Sequence, residues 1–286
     1  MSIRKVRIVT DSTCDLTKEL AERFNIVITP LCIILDDVSY FDGVDLTPDQ
    51  IYEWADKNGK TPKTAAISYE KFTEQIKPFM DADEDVIYIG ISEDMSTTCN
   101  VARLVGQDFS KGRLFVVDSK NLSTGVGLQV IRAAELAAQG LDAETIVKKI
   151  EEARDKVRAS FVVDTMTYLA RGGRCNGAVA FAANTLKIHP SIRVVDGKMI
   201  QGKKYRGNMD KVLLSYVKDE EELQKADKTR VFITHSGSEP EIVQSIYDYV
   251  KSLGYFDEIL TTRAGGVISS HCGYGTLGVL YYLKED

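Results

Sequence analysis

The chain has 286 residues, of which 44% are hydrophobic and 27% charged, and it carries a formal net charge of −6 and five cysteines. This length predicts one large or two medium domains with a sizeable core. The acidic balance and the scattered basic residues argue against nucleic acid binding. The cysteines are odd in number and widely spaced without a CxxC pair, which argues against structural disulfides and against a zinc site.

The N-terminal residues lead directly into a predicted strand. No apolar stretch precedes a small-residue cleavage site there, so we expect no signal peptide. No window of the sequence approaches the roughly 18 uninterrupted apolar residues of a membrane span. We therefore expect a cytoplasmic protein without stable membrane insertion.

The first half of the chain alternates strands with helices, which predicts a parallel sheet with helices on both faces. The predicted elements are a strand at 4–10, a helix at 16–24 capped by Thr13 or Asp15, a strand at 25–35 broken at Pro30, helices at 47–57 and 68–79, a strand at 85–91, a helix at 96–106, a strand at 114–117, and helices at 123–140 and 142–158. The second of these helices opens with Thr47-Pro48-Asp49-Gln50, a capping-box pattern, and the third is expected to end near Pro78.

The regular alternation of strands and helices does not continue in the second half of the chain. The turn at Asp196-Gly197 predicts a type I′ hairpin there. The predicted elements of this half are a strand at 159–163, a helix at 166–170 ended by Gly172-Gly173, hairpin strands at 188–195 and 198–203, a helix at 208–226, a strand at 230–234, a helix at 240–253, and strands at 258–262 and 277–282. The fold class is therefore α/β with two domains: residues 1–158 with a parallel sheet, and residues 159–286 with a mixed sheet.

Turns rich in small hydroxyl residues follow several of the predicted strands. Ser12 and Thr13 follow the first strand, Ser96 and Thr97 the strand at 85–91, and the stretch VISS is interpreted as a further strand that leads into His271. Ligands of α/β proteins bind at strand exits, and hydroxyl groups with glycine amides can hold an oxyanion without carrying out chemistry on it. The pattern therefore predicts a pocket for a small acid more strongly than it predicts catalysis.

Other chemistry has weaker support. Asp11 could be a metal ligand or a general base, but no second carboxylate or histidine stands at a matching short spacing, so we expect no metal. The glycines at 125–127 and 172–174 lack the spacing of a phosphate-binding loop.

Seven motifs stand in order along the chain: TDSTCDL at 10–16, FDGVDLT at 41–47, PKTAAIS at 62–68, GISEDMSTT at 90–98, VVDS at 116–119, TYLARGGR at 167–174 and HCGYGTLGV at 271–279. Together they resemble the DegV family of bacterial fatty-acid-binding proteins. The resemblance implies a two-domain α/β carrier that takes a long-chain fatty acid as its ligand and needs no cofactor. It implies a place in phospholipid metabolism, with a separate fatty acid kinase as partner. That kinase would phosphorylate the bound carboxylate to an acyl phosphate, so the carrier would be no enzyme and would have no ATP site.

The same resemblance points to three carboxylate ligands: Thr64, Ser96 and His271. Ser96 also precedes a predicted helix, whose N-terminus favours an anion, although a plain helix cap would explain a serine there equally well. A turn residue is the alternative for Thr64, and a packed side chain is the alternative for His271. Further candidates for the pocket are Ser12, Thr97, Gly273, Ile33 and Ile268, with Val267, Leu280 and the run 179–183 as wall residues; Arg174 and Arg206 are candidates for contact with the partner or a phosphate.

A fatty acid makes two demands on its pocket. Burying roughly 15 methylenes at about 0.8 kcal/mol each gains on the order of 12 kcal/mol before ordering costs, while the anionic head must not be buried unpaired. Three departures from the family pattern bear on the pocket: Thr97 where a glycine is usual, Ala65-Ala66-Ile67 in place of a more polar stretch, and Tyr274 where a proline is common.

Two other functions stay open at this stage. One is a small-molecule acyl or phosphoryl transferase that uses His271 with Ser96 or Cys272. The other is a nucleotide-binding regulator.

Overall fold

A computed structural model describes residues 4–110, 112–175 and 187–284. Its strands are β1 (Val6–Asp11), β2 (Ile26–Thr29), β3 (Cys32–Leu35), β4 (Val38–Phe41), β5 (Lys63–Ala65), β6 (Asp85–Gly90), β7 (Leu114–Asp118), β8 (Val157–Val162), β9 (Ile188–Val195), β10 (Lys198–Arg206), β11 (Ala226–His235), β12 (Glu258–Arg263) and β13 (Leu277–Leu283). Its α-helices are α1 (Lys18–Arg23), α2 (Pro48–Asn58), α3 (Tyr69–Asp81), α4 (Thr98–Val105), α5 (Thr124–Ala138), α6 (Ala143–Arg154), α7 (Thr167–Gly172), α8 (Met209–Lys218), α9 (Pro240–Ser252) and α10 (Gly266–Cys272).

The strands form one parallel sheet, one mixed sheet and one small antiparallel sheet. The parallel sheet has the order β2-β1-β6-β7, and the mixed sheet has the order β10-β9-β8-β13-β11-β12. In the mixed sheet β11 pairs in parallel with β12, and the other pairs are antiparallel. The prediction of a parallel sheet followed by a mixed sheet is confirmed, whereas the domain boundary at Arg158 stays a prediction.

Helix α5 lies between the two larger sheets, and α6 packs against α5 and the parallel sheet. One core cluster contains Ile8 of β1, Ile131 of α5, Ile146 of α6, and Phe232 and Leu280 of the mixed sheet, each at most 3% exposed. A helix such as α5 that is apolar on most of its circumference is stable only when it is covered on several sides, and here it contacts both β1 and β13.

Proline and glycine positions explain most of the agreement with the sequence predictions. The strand expected at 25–35 is indeed broken at Pro30, and its halves, β2 and β3, belong to different sheets. The capping box at Thr47 is present. Asp196 and Gly197 both have positive φ angles, of 48° and 80°, as a type I′ turn requires.

Several predicted boundaries were wrong. Helix α3 runs past Pro78 to Asp81, because the proline lies in the last turns and its carbonyl still accepts from Ala82 N at 3.1 Å. Helix α1 is capped by Thr17 rather than by Thr13 or Asp15. The helix predicted to reach residue 158 ends at Arg154, and β8 starts at Val157. The helix predicted to reach residue 226 ends at Lys218.

The largest error concerns the segment before His271. Residues Gly266–Cys272 form helix α10 and not a strand, so His271 lies in the last turn of a helix. The β-branched residues of VISS favour a strand, and a run this short does not distinguish the two periods. A tertiary contact decides the outcome, because the Asp42 carboxylate accepts from Gly266 N at 2.7 Å and from Val267 N at 3.2 Å.

Candidate functional site

A cavity of about 430 Å³ opens where the parallel sheet, the mixed sheet and the small sheet meet. This volume lies within the range of small-molecule sites. Strand β5, the loop from β6 to α4, and helix α10 supply most of its walls; the residues they contribute are Thr64, Ala65, Ala66, Glu93, Asp94, Met95, Ser96, Thr97, Val267, Ile268, His271 and Cys272. The cavity therefore combines an apolar surface with a group of hydroxyl and imidazole side chains.

Thr64 and His271 are hydrogen-bonded to each other although 207 residues separate them in the chain. Thr64 Oγ1 lies 2.8 Å from His271 Nε2. Thr64 is held in place by the pairing of β5 with β3, where it faces Ile33. His271 sits one turn after Ile268 on the same face of α10, and both side chains line the cavity.

His271 is a neutral group in this environment. Burial lowers its pKa to about 4, and the positive charge of Arg174 acts in the same direction. Its Nδ1 is buried and has no hydrogen-bond partner among the residues that the structure describes. Nδ1 packs against Gly172, where an added Cβ would lie only 2.4 Å away. Gly172 is therefore required for the close approach of the imidazole, while the following Gly173, with a φ of +66°, ends α7.

Ser96 lies in the loop before α4 and faces the cavity. Its Oγ is 2.8 Å from Thr98 Oγ1 and accepts weakly from Thr98 N at 3.4 Å. Helix α4 starts at Thr98, with Thr97 at the cap position and no side-chain cap bond. The expected helix start at Ser96 was thus two residues early, and the two residues that precede α4, Ser96 and Thr97, line the cavity.

The two candidate arginines lie in different places. Arg174 lines the cavity, and its guanidinium donates to Gly172 O at 2.7 Å and to Met95 O at 3.5 Å. Arg206 is the last residue of β10, opposite Ile188, and is not one of the lining residues. The acidic side chains at the wall have cationic neighbours: Glu93 bonds to Arg103, and Asp94 Oδ1 is 3.6 Å from Lys198 Nζ.

The remaining sequence candidates divide into two groups. Thr97, Val267 and Ile268 line the cavity, and Leu280 lines a small adjoining space. Ser12, Gly273 and Ile33 are not lining residues. Ile33 belongs to the core beneath the small sheet, and Gly273, with a φ of +78°, packs against Tyr168. The run 179–183 lies outside the described residues.

Ser12 has a different partner, a buried carboxylate. Its hydroxyl donates to Asp42 Oδ2 at 2.7 Å and accepts from Leu31 N at 3.2 Å. Asp42 in turn holds the first amides of α10, and Asp15 accepts from Gly265 N at 2.7 Å and from the Ser123 hydroxyl. Burial raises the pKa of Asp42 and raises the pKa of Asp15 to about 8. These carboxylates anchor the helix that carries His271.

Asp11 is also fully engaged inside the protein. It accepts from Tyr88 Oη at 2.8 Å, from Ile91 N at 3.1 Å, and from the backbone and hydroxyl of Thr13. Burial raises its pKa. Within the described ranges, no group of three or more His, Cys, Asp or Glu side chains is arranged to hold a metal ion.

The geometry gives little support to nucleophilic catalysis. Burial raises the pKa of the Cys272 thiol to about 12, so it is protonated at neutral pH and is a weak nucleophile. His271 Nε2 faces Thr64, and Ser96 Oγ contacts Thr98 instead.

Some wall residues were missed in the sequence. Leu31, Ile91, Met95, Leu122 and Met199 line the cavity, yet each also fits an ordinary core position. The tertiary structure brings these residues together, and no local sequence pattern predicts that they line a cavity. No helix in the described part of the chain is both long and apolar enough to span a bilayer.

Comparison with known proteins gives consistent matches over the full length. A family model described as "Uncharacterised protein, DegV family" matches residues 5–284. A DegV domain-containing protein of Clostridium perfringens is 30% identical over 282 residues, which cover 98% of this chain and 99% of the relative.

Two solved structures superpose closely on this one. A DegV family protein from Thermus thermophilus, described for its fatty acid binding, has a TM-score of 0.87 and 30% identity, and the match covers 98% of this chain and 100% of that chain. A stearic acid-binding protein from Eubacterium ventriosum has a TM-score of 0.84 and 28% identity, with 98% of each chain covered.

Proposed function

This chain belongs to the DegV family, and on that premise we propose that it is a carrier that binds a long-chain fatty acid noncovalently in the 430 Å³ cavity. Relatives described as binding fatty acids, stearic acid among them, support this ligand class. The carboxylate would lie among Thr64, Ser96 and His271, and the acyl chain would lie along the apolar wall.

The hydrogen bond between Thr64 and His271 carries this proposal. A carboxylate can only accept hydrogen bonds. A bound carboxylate therefore determines which of Thr64 and His271 donates to the other. Neutral His271 would donate its Nε2–H to Thr64 Oγ1, and the Thr64 hydroxyl would then donate its own proton to the carboxylate. Because the pKa of His271 is lowered to about 4, the pair recognises an anion through hydrogen bonds rather than through a buried ion pair, which would carry a larger desolvation cost.

Two further features favour an anionic head group. The N-terminus of α4 carries partial positive charge, and the Ser96 and Thr97 side chains in front of it line the cavity. Arg174 adds a full positive charge at the wall and is largely exposed there. Because Arg174 is exposed, a partner protein could reach it. Arg174 is therefore the candidate to contact the ATP phosphates that a kinase would bring to the cavity.

We extend the proposal to the reaction that follows binding. The carrier would present the carboxylate to a separate fatty acid kinase in the cytoplasm and would have no ATP site of its own. Among the described residues that line the cavity, the Cys272 thiol is protonated and Ser96 Oγ contacts Thr98, which favours a carrier over a transferase.

Native mass spectrometry of protein purified from lipid-replete cells tests the first step. We expect a bound mass equal to a long-chain fatty acid, and we expect added palmitate or oleate to raise the melting temperature. A matched acyl alcohol of equal chain length should stabilise the protein less, since it lacks the anion. Repeated preparations without an acyl chain, together with no stabilisation by added fatty acid, would contradict the proposal, as would substrate turnover without a partner protein.

A further inference from the structure

A second space lies directly behind one wall of the cavity. It has a volume of only about 20 Å³ and shares Leu122, Ile268 and Cys272 with the main cavity. These three side chains therefore form a partition with the main cavity on one side and the small space on the other.

The small space is apolar and lies against the mixed sheet. Phe161 of β8, Leu280 of β13 and Ala264, which precedes α10, are among its walls, and each is at most 5% exposed. A volume of this size holds no more than about one water or one methyl group. Apolar cavities stay dry and can accept apolar groups, so this space is suited to the end of a hydrocarbon chain.

The direction of the main cavity follows from α10. His271 is in the last turn of the helix, and Ile268 and Val267 lie one turn closer to its N-terminus on the same face. All three line the cavity. A ligand with its carboxylate at Thr64 and His271 that extends along α10 brings its chain to Ile268.

We infer that Ile268, supported by Leu122 and Cys272, is the end stop that sets the length of the acyl chain this protein accepts. The inference rests on the proposed function and adds a specificity-determining residue to it. With Ile268 in place, the terminal methyl group meets the partition. With a smaller side chain, the chain end can pass into the space beside Ala264.

The size of the effect follows from methylene burial. Replacing Ile268 by alanine removes three carbon atoms and joins the two spaces. Each further buried methylene is worth about 0.8 kcal/mol, which is roughly a fourfold change in affinity. A ligand two carbons longer should therefore gain roughly tenfold or more over the original preferred length.

The test measures dissociation constants of the purified full-length protein for saturated fatty acids of even chain length from 12 to 22 carbons. I268A is expected to move the affinity maximum two or more carbons longer, and I268V is expected to move it less. A264V in the I268A background should refill the small space and restore the original maximum, while A264V alone should leave the maximum unchanged. I246A is the matched control, because Ile246 is fully buried in α9 and lines neither space.

The outcomes separate this inference from the proposed function. If no variant and no wild-type protein binds any fatty acid, the proposed function fails. If wild type binds but I268A and I268V keep the original maximum, or if I246A shifts it equally, the partition is not the end stop and the inference is overturned. Should I268A fold poorly, its thermal melt will show it, and I268V then decides the question: a maximum shifted to longer chains supports the end stop, and an unchanged maximum overturns it.

Discussion

Thr64 contributes both to the fold and to the candidate site. Its backbone completes the small antiparallel sheet, and its hydroxyl joins His271 from the far end of the chain. In the proposed complex this one hydroxyl both accepts from the imidazole and donates to the carboxylate. Removing it would leave two buried polar partners without their hydrogen bonds.

We expect Thr64→Val to weaken fatty acid binding about 10- to 150-fold while β5 keeps its place in the small sheet. Valine keeps the β-branched shape that a strand prefers, while a lost hydrogen bond to a charged group costs about 1.5–3 kcal/mol. Displacement of a fluorescent fatty acid measures the affinity. Thr73→Val is the control, since the Thr73 hydroxyl donates to Tyr69 O within its own helix, away from the cavity. If Thr64→Val and wild type bind the fatty acid with equal affinity, the Thr64 hydroxyl does not bind the carboxylate.

At this scale the sequence predicts residue types better than partners. Thr64, Ser96 and His271 could be singled out from motifs, and the structure brings all three to one cavity. Nothing in the sequence could pair Thr64 with His271, because that contact depends on where β5 and α10 lie. Ser12 is the opposite case. Its position in a motif suggested contact with a ligand, but its hydroxyl donates to Asp42 instead.

Helix α10 is the element on which the site depends. It is only seven residues long, and isolated helices of this length are unstable in water. The Asp42 carboxylate accepts from Gly266 N, Val267 N and the Ser12 hydroxyl. Asp42 therefore fixes the start of the helix whose other end carries His271.

Asp42→Asn should lower the free energy of unfolding by about 1–3 kcal/mol, the cost of leaving a buried donor unsatisfied, and should weaken fatty acid binding as well. An amide replaces one acceptor oxygen with a donor that faces other donors. Urea unfolding and ligand displacement give the two values. Asp142→Asn is the matched control: Asp142 caps the exposed start of α6, where asparagine caps equally well. A D42N protein with wild-type binding would show that α10 does not need this anchor.

The hairpin of β9 and β10 supports the other side of the cavity. Ser92 Oγ donates to Gly197 O at 2.8 Å, and the loop that starts at Ser92 carries Met95 and Ser96 to the wall. A Cβ at Gly197 would lie 2.6 Å from Ser92 Oγ, and its φ is +80°. The turn between β9 and β10 thus packs closely against the loop that carries Ser96 and holds it in place.

Gly197→Ala should weaken fatty acid binding severalfold, because it displaces the loop that carries Ser96. Gly140→Ala is a close control. Gly140 has a similar φ of +85° but nothing within 4 Å of an added Cβ. Both variants bear the cost of a left-handed alanine, so equal effects of the two on binding would mean that the hairpin contact plays no part.

The elements themselves could be predicted unevenly. The hairpin with its Asp-Gly turn and the starts of the long helices carry strong local signals and were placed well, whereas two of those helices end earlier than predicted. The short strands β4 and β5 were missed, and α10 was mistaken for a strand. Strand β5 and helix α10 are stabilised by partners distant in sequence, whereas β4 forms a short local hairpin with β3. The missed elements include two that contribute to the site.

On the scale of the whole molecule, buried carboxylates connect distant parts of the chain. Asp15 follows the first strand and binds Gly265, 250 residues later, and it also accepts from Ser123 at the start of α5. Asp15 therefore joins the parallel sheet, α5 and α10. Its protonation state should affect the stability of the entire fold.

The sign of this effect follows from the pKa values. The pKa of Asp15 rises from 3.8 to about 8 on folding, so the folded state binds more protons between these values and stability falls as pH rises through that window. The raised pKa values of Asp11 and Asp42 act in the same direction. His271 acts oppositely: its pKa falls from 6.5 to about 4 on folding, so its contribution is lost as pH falls below 6.5.

Asp15→Asn should therefore flatten the decline of stability on the alkaline side. Asparagine can accept from Gly265 N and donate to Ser123 Oγ, as a protonated aspartic acid does. Between pH 6.5 and 8 we expect the slope of the unfolding free energy to change by up to about 1.4 kcal/mol per pH unit relative to wild type. Urea unfolding at a series of pH values measures the slope. His271→Gln should leave this alkaline slope as it is and flatten the acid side instead, and identical profiles for wild type and Asp15→Asn would mean that Asp15 is not the proton-binding group.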